Sequence, residues 1–202
     1  MNPTQRAVAA RAASLLLRYP DTDVLATLPI LSAALDELPA TVAAALRLVA
    51  EHRAGTDPTS LASEYVELFD FRRRCCLHLT YYTCGDTRKR GEALVGFAAA
   101  YRATGLEVTG GELPDFLPAV LDLAATDEAG WRLLRDHRVG LDLLVQALAA
   151  ERSVYRHAVD AVGALLPPPC PSELAAAAGL ARSGPPREEV GLEPYPVLGG
   201  RR

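Results

Sequence analysis

Apolar residues recur along this chain with the period of a helix. Ala12, Leu15, Leu16 and Tyr19 stand at i, i+3, i+4 and i+7. Leu94, Phe97, Ala98 and Tyr101 repeat that spacing, and so do Leu141, Leu144, Val145 and Leu148. Leu113, Leu117, Val120, Leu121 and Ala124 follow the same one-sided rhythm. Such spacings gather apolar side chains on one stripe of a 3.6-residue helix. No segment sustains the two-residue alternation of a half-buried strand, and no Asn-Gly or Asp-Gly hairpin turn occurs. The pattern predicts helices over 4–18, 30–37, 40–54, 58–82 (with a break near 70–74), 87–104, 113–125, 127–149 and 151–165. Asp57-Pro58 reads as an N-cap followed by proline at the first helical position. Pro20 and Pro39 mark helix boundaries. Gly85-Asp86-Thr87 is a break with a cap, and Gly105 closes the helix that follows. The expected fold is all-α, a single-domain helical bundle over 1–166.

Composition changes the picture at the C-terminal end. Residues 167–202 hold eight of the 15 prolines and five of the 15 glycines, with Tyr195 as their one aromatic. Such a segment buries too little apolar surface to offset its ordering entropy. It reads as a mostly disordered tail with room for a short helix at 172–181. Half of the 202 residues are hydrophobic, enough for a sizeable core. The net charge is −4, and of the 21 basic residues only Lys89 is lysine. That balance argues against a nucleic-acid surface, which needs a concentrated positive field. The longest uncharged runs, such as 24–35, fall short of the roughly 18 residues that a membrane span requires. No signal-peptide core is present. The expectation is a cytoplasmic protein without direct membrane insertion.

Catalytic signatures are missing. No two glycines are separated by one residue, so no dinucleotide fingerprint exists, and Lys89 is followed by Arg90, so there is no Walker A loop. H-E-x-x-H, G-x-S-x-G and C-x-x-C are absent as well. The chain therefore reads as a non-enzyme. The segment that departs from background is 58–83, where five of the twelve aromatics fall between Tyr65 and Tyr82. On a continuous helix Leu61, Tyr65, Leu68, Phe69, Arg72, Cys76 and Leu79 would share one face, and Phe71, Cys75, His78 and Tyr82 another. A helix apolar on two faces is central to its bundle. The other reading is the floor of a groove with Tyr65, Tyr81, Tyr82, Glu64, Glu67 and Asp70 at its rim. Cys75, Cys76, His78 and Cys84 invite a zinc or thiol-redox alternative. Adjacent helical cysteines point about 100° apart, however, and the usual paired ligand spacing is lacking. The triplets Arg72–Arg74 and Arg88–Arg90 read as solvated charge with acidic neighbours.

The run Y-V-E-L-F-D-x-R-R-R-C-C-L-x-L-T-Y-Y-x-x-G-D-T-R-x-R-G at 65–91 resembles the signature of the NarJ family. S-L-L-L-R-Y-P-D at 14–21 and E-L-P-D-F-L-P-x-V-L-D at 112–122 resemble its opening and later helices, so the likeness covers about 10–165. E-Y-x-x-L-F at 64–69 is similar to the tyrosine motif of the wider TorD/DmsD-type maturation chaperones. The sequence departs at His78, where tyrosine is expected, and at Cys84. The resemblance implies a system-specific assembly chaperone of respiratory nitrate reductase. Its partner would be the N-terminal peptide of the catalytic (alpha) subunit, with contact to the cofactor-insertion machinery left open. The chain itself would hold no cofactor stably. Its client would receive molybdopterin guanine dinucleotide and iron–sulfur clusters before membrane docking. A helix-in-groove mode needs an apolar trough with polar ends. On that reading Tyr65, Leu68, Phe69, Tyr82, Leu117 and Leu121 line the trough, and Glu64, Asp86, Asp115 and Asp122 meet basic groups of the client.

Overall fold

The computed structural model describes residues 1–186. Helix α1 (Pro3–Leu16) opens with a capping box, in which the Asn2 side chain accepts from the Gln5 amide at 2.8 Å. A short α2 (Thr22–Ala26) follows, capped by Asp21 on the Val24 amide, and then α3 (Leu28–Leu35) and α4 (Ala40–Gly55). The sequence pattern misses α2 because five residues carry no helical period. Asp57 caps α5 (Pro58–Tyr65) by accepting from Thr59 and Ser60, and Pro58 occupies the first turn as expected.

The helix expected over 58–82 is interrupted, as expected near 70–74, but over a longer stretch. After α5 the chain widens into a π-helical turn, Val66–Asp70, then makes a 3-10 turn at Arg73–Cys75, and re-enters α6 (Leu79–Cys84). The two faces expected of a continuous helix therefore do not exist. Helix α7 (Arg88–Ala103) ends at Gly105, whose φ of +75° glycine adopts without strain. Helix α8 (Leu117–Thr126) starts later than the pattern suggests. The helix expected over 127–149 divides at His137 into α9 (Glu128–Asp136) and α10 (Arg138–Ala150). His137 leaves the helical region there, and its Nδ1 lies 2.9 Å from the Leu133 carbonyl. Helix α11 (Arg156–Ala164) completes the bundle and α12 (Pro171–Ser183) follows it. The described part of the expected tail thus contains a helix close to 172–181. Residues 187–202, for which disorder is expected, lie outside the described residues.

One contiguous core joins α1, α3, α4, α8, α10 and α11. Helix α1 packs closely on α8, and its Ala9, Ala10, Ala13 and Leu16 are all buried in the core. Small side chains let the two backbones come close, and the buried Ser14 hydroxyl donates to the Pro118 carbonyl at 2.9 Å. Arg53 of α4 is 2 % exposed and donates to the Leu15 and Arg18 carbonyls at 2.8 and 2.7 Å, closing the C-terminal end of α1.

The α8–α9 corner is as tight. A Cβ placed on Gly130 would lie 2.5 Å from the Ala124 Cα and 2.7 Å from the Leu123 carbonyl carbon, both backbone atoms that cannot swing away. Gly130→Ala is therefore expected to lower stability by about 2 kcal/mol. In thermal unfolding this corresponds to a Tm roughly 4–8 °C lower for a chain of this size.

Candidate functional site

The signature segment occupies the surface where the π-helical turn, α6 and α10 meet. Tyr65 ends α5 with its ring buried and its hydroxyl donating to the Leu17 carbonyl at 3.0 Å. Its ring packs on Phe69 (centroids 4.7 Å apart) and on the half-exposed Tyr19 (5.5 Å). Phe69 in turn meets Tyr155 edge-on at 5.2 Å. Burial raises the Tyr65 hydroxyl well above the usual tyrosine range, so it is a neutral donor at physiological pH. These aromatics hold the π-helical turn against the end of α1. Widened turns of this kind frequently sit at functional sites, because the extra residue reorients the side chains around it.

Two depressions flank the segment. The first, about 390 Å³, is lined by His52, Glu64, Glu67, Leu68, Arg72, Glu151 and Val154. Glu64 Oε2 lies 2.8 Å from His52 Nε2, and both side chains are about one-third exposed. Arg152 at the rim has φ of +55°, a left-handed conformation uncommon in a non-glycine residue. The second depression, about 220 Å³, lies between the 3-10 turn, α6, α10 and the end of α12. Its walls include Arg74, Cys75, Tyr82, Leu143, Ala147, Glu151 and Leu180. Glu151 lines both depressions and forms an ion pair with Arg72. The Tyr82 hydroxyl lies 2.9 Å from the carbonyls of both Arg74 and Cys76, which fixes the backbone around the 3-10 turn.

The predicted site residues separate into three groups. Glu64, Tyr65, Leu68 and Phe69 come together at the first depression, although only Glu64 and Leu68 line it and the two rings lie beneath. Tyr82 stands at the second depression, 4 % exposed. The remaining five line neither. Leu117 and Leu121 are fully buried on α8 in the core shared with α1. Asp122 is already held between Arg11 (2.5 Å) and Arg18 (2.6 Å). Asp86 sits on the surface, 3.5 Å from Arg73 and 3.3 Å from Arg90. Asp115 is 0 % exposed and accepts from the Thr80 amide (3.1 Å) and the Thr80 hydroxyl (2.5 Å), with His78 Nδ1 at 3.1 Å.

Sequence reasoning misses the α10 side of the site. Leu143, Ala147 and Ala150 stand at i, i+4 and i+7 beside the core stripe of Leu141, Leu144 and Leu148. That second apolar row is the signal that α10 carries more than one partner. The cysteines are placed as packing. Cys75 is fully buried, and burial pushes the Cys75 and Cys76 thiols up to about 11. On the order of one thiol in ten thousand is then ionised at neutral pH, which suits neither a nucleophile nor a redox sensor. Among the described residues Cys75, Cys76, His78 and Cys84 do not converge into a group of three or more metal-ligating side chains. Among them, too, no helix is long and apolar enough to cross a membrane.

The helical arrangement has a solved counterpart. A structure from Archaeoglobus fulgidus, assigned as a candidate redox enzyme maturation protein, superimposes with a TM-score of 0.59 at 22% identity, covering 79% of this chain and 92% of that one. The fold is therefore the all-α TorD/NarJ-like type. Residues 34–159 match the model of the nitrate reductase delta subunit family, and the chain belongs to that family. Among its relatives is the "Probable nitrate reductase molybdenum cofactor assembly chaperone NarJ" of Bacillus subtilis, 36% identical over 63% of this chain and 70% of that protein. The Escherichia coli (strain K12) "Nitrate reductase molybdenum cofactor assembly chaperone NarJ" is 38% identical over 46% of this chain and 39% of its own length. The "Nitrate reductase-like protein NarX" of Mycobacterium tuberculosis is 45% identical over 75% of this chain, which spans 23% of that longer protein.

Proposed function

We propose that this chain is a cytoplasmic assembly chaperone for respiratory nitrate reductase. It binds the N-terminal peptide of the catalytic subunit and keeps the apoenzyme open to molybdenum-cofactor and iron–sulfur insertion before membrane docking. The observation that carries the reading is the seating of the family signature, 65–91, between a largely polar depression that holds Glu64, Glu67 and Glu151 around Leu68 and a second one with mainly apolar walls and Glu151 in its lining. The names of the Bacillus and Escherichia coli relatives supply the client class. Helix recognition of this kind uses an apolar trough to bind and polar rim groups to set register, and no nucleotide. Glu64 and Glu67 beside Leu68 meet basic groups of the peptide in the first depression. Tyr65, Phe69 and Tyr82 act from beneath, by fixing the walls. Leu117, Leu121, Asp115 and Asp122 serve the fold.

A double change, Glu64→Arg with Glu67→Arg, tests the placement. Both carboxylates are at the rim, so the loss of the one-third-exposed Glu64–His52 pair costs folding less than about 1 kcal/mol. Calorimetric titration with the client's N-terminal peptide is expected to show at least tenfold weaker binding, about 1.4 kcal/mol. Unchanged affinity would remove the first depression from the site. Asp122→Arg is unsuitable for this purpose, because it would set a third cation beside Arg11 and Arg18.

A further inference from the structure

Helix α12 lies outside the span that matches the family, 34–159, and packs on α10. Of its thirteen residues only Ala177 is buried, whereas six of the ten in α8 are. Space remains on both sides of it. Toward its N-terminal end an open cleft of about 740 Å³ lies between Val145, Val159, Leu166 and Leu174, and toward its C-terminal end is the 220 Å³ depression beside Leu143 and Tyr82. Both depressions open to the surface, so the alanine-rich helix covers the α10 face only in part. Asp142 lines the cleft. Arg138 holds its Oδ1 at 2.8 Å, while Oδ2 is buried without a hydrogen-bond partner among the described residues. An unmet acceptor at the edge of an apolar seat suits a basic or amide group on an incoming helix. Both ends of α12 are tied. The Pro167 carbonyl accepts from Arg138 at 2.9 Å at the start of Pro167-Pro168-Pro169. At the far end the Pro186 backbone crosses Gly85 of the signature segment, where a Cβ would lie 2.9 Å from the Pro186 carbonyl carbon.

We propose that the α10 face beneath α12 is a seat for an amphipathic helix with bulky apolar side chains and a basic group, and that α12 is an internal occupant which the client peptide displaces. This inference rests on the chaperone reading above and adds where the peptide lies and what it must move. The alanine face of α12 makes it a weak occupant, and its two tethers keep it close enough to return once the client leaves.

The test uses the full chain and a synthetic peptide of the client's N-terminal residues. Hydrogen exchange followed by mass spectrometry is expected to show that amides of 172–183 lose protection when the peptide saturates the wild-type protein. In calorimetry Ala177→Asp, which sets a carboxylate in the seat, is expected to raise peptide affinity about tenfold. Leu143→Asp, on the α10 wall, is expected to abolish binding in either background. Binding to the wild-type chain with α12 protection retained and affinity unchanged by Ala177→Asp overturns the seat and leaves the chaperone reading standing. No binding to the wild-type chain or to the Ala177→Asp variant overturns that reading, and the seat with it.

Discussion

Replacing Arg53 by alanine is expected to lower unfolding stability by about 4 kcal/mol, the largest effect of any single truncation here. Arg53 is buried between α4 and the end of α1, where the final carbonyls of a helix have no partner of their own. Its guanidinium supplies two charge-assisted bonds, to the Leu15 and Arg18 carbonyls, and lies 5.9 Å from the centre of the Tyr155 ring. Burial opposes the charge and moves the guanidinium below its ordinary pKa, so the residue is retained at a cost. Truncation removes the side-chain donor from two part-buried carbonyls, at about 1–3 kcal/mol for Arg18, while Leu15 keeps a long main-chain bond from the Arg18 amide (3.4 Å), and it opens a cavity. A series separates the two effects. Arg53→Met fills the volume but cannot donate, and is expected to cost about 2 kcal/mol. Arg53→Lys can reach one of the two carbonyls and should cost less again. Urea denaturation midpoints that place methionine level with alanine would mean that the capping bonds, not the packing, hold this corner.

How far the sequence carries depends on whether a feature is local. Caps made by neighbours are legible: Asp57 on α5 acts within three residues, and Gly105 ends α7 through its own backbone. The break in the signature segment is legible near 70–74, but where the helix resumes is not, because its cause is remote. Helix α6 begins where it does because Asp115, thirty-five residues away, accepts from the Thr80 amide. That carboxylate takes the capping role which His78, at the N-cap position, does not fill. Periodicity also fails to separate a core stripe from a groove wall. Leu117 and Leu121 have the spacing expected of either, and the structure buries both in the common core. The same ambiguity hides the α10 wall, since Leu143 and Ala147 look like extra core in a helix that already has a core stripe. The residue types in 64–69 point to the surface proposed as the site, but which side chains face outward there is set by the π-helical turn, which no local pattern announces.

Asp115 therefore offers the second large effect, and one with a pH signature. Removing its carboxylate, as in Asp115→Ala, is expected to cost about 3 kcal/mol, because the Thr80 amide, the Thr80 hydroxyl and His78 Nδ1 all lose their acceptor in a site closed to water. The same corner is braced by main-chain bonds from Leu79 to the Asp115 carbonyl (3.1 Å) and from Leu117 to the Leu77 carbonyl (2.7 Å). Its loss should accordingly loosen 77–80 rather than unfold the bundle alone, and hydrogen exchange at these amides would show it. Asp115→Asn keeps one acceptor oxygen and is expected to cost about half as much. Burial pushes the Asp115 carboxyl upward, but the hydrogen bonds from His78 and Thr80 outweigh it and hold the carboxyl below its ordinary value of 3.8. A group whose pKa is depressed by folding contributes stability that is present above its unfolded value and is lost as pH falls through the folded one. The stability gap between wild type and Asp115→Asn should thus stay constant from neutral pH down to about 4 and narrow only below it. A gap that already closed between pH 7 and 5 would show that protonation of another group, and not of Asp115, governs how α6 is held.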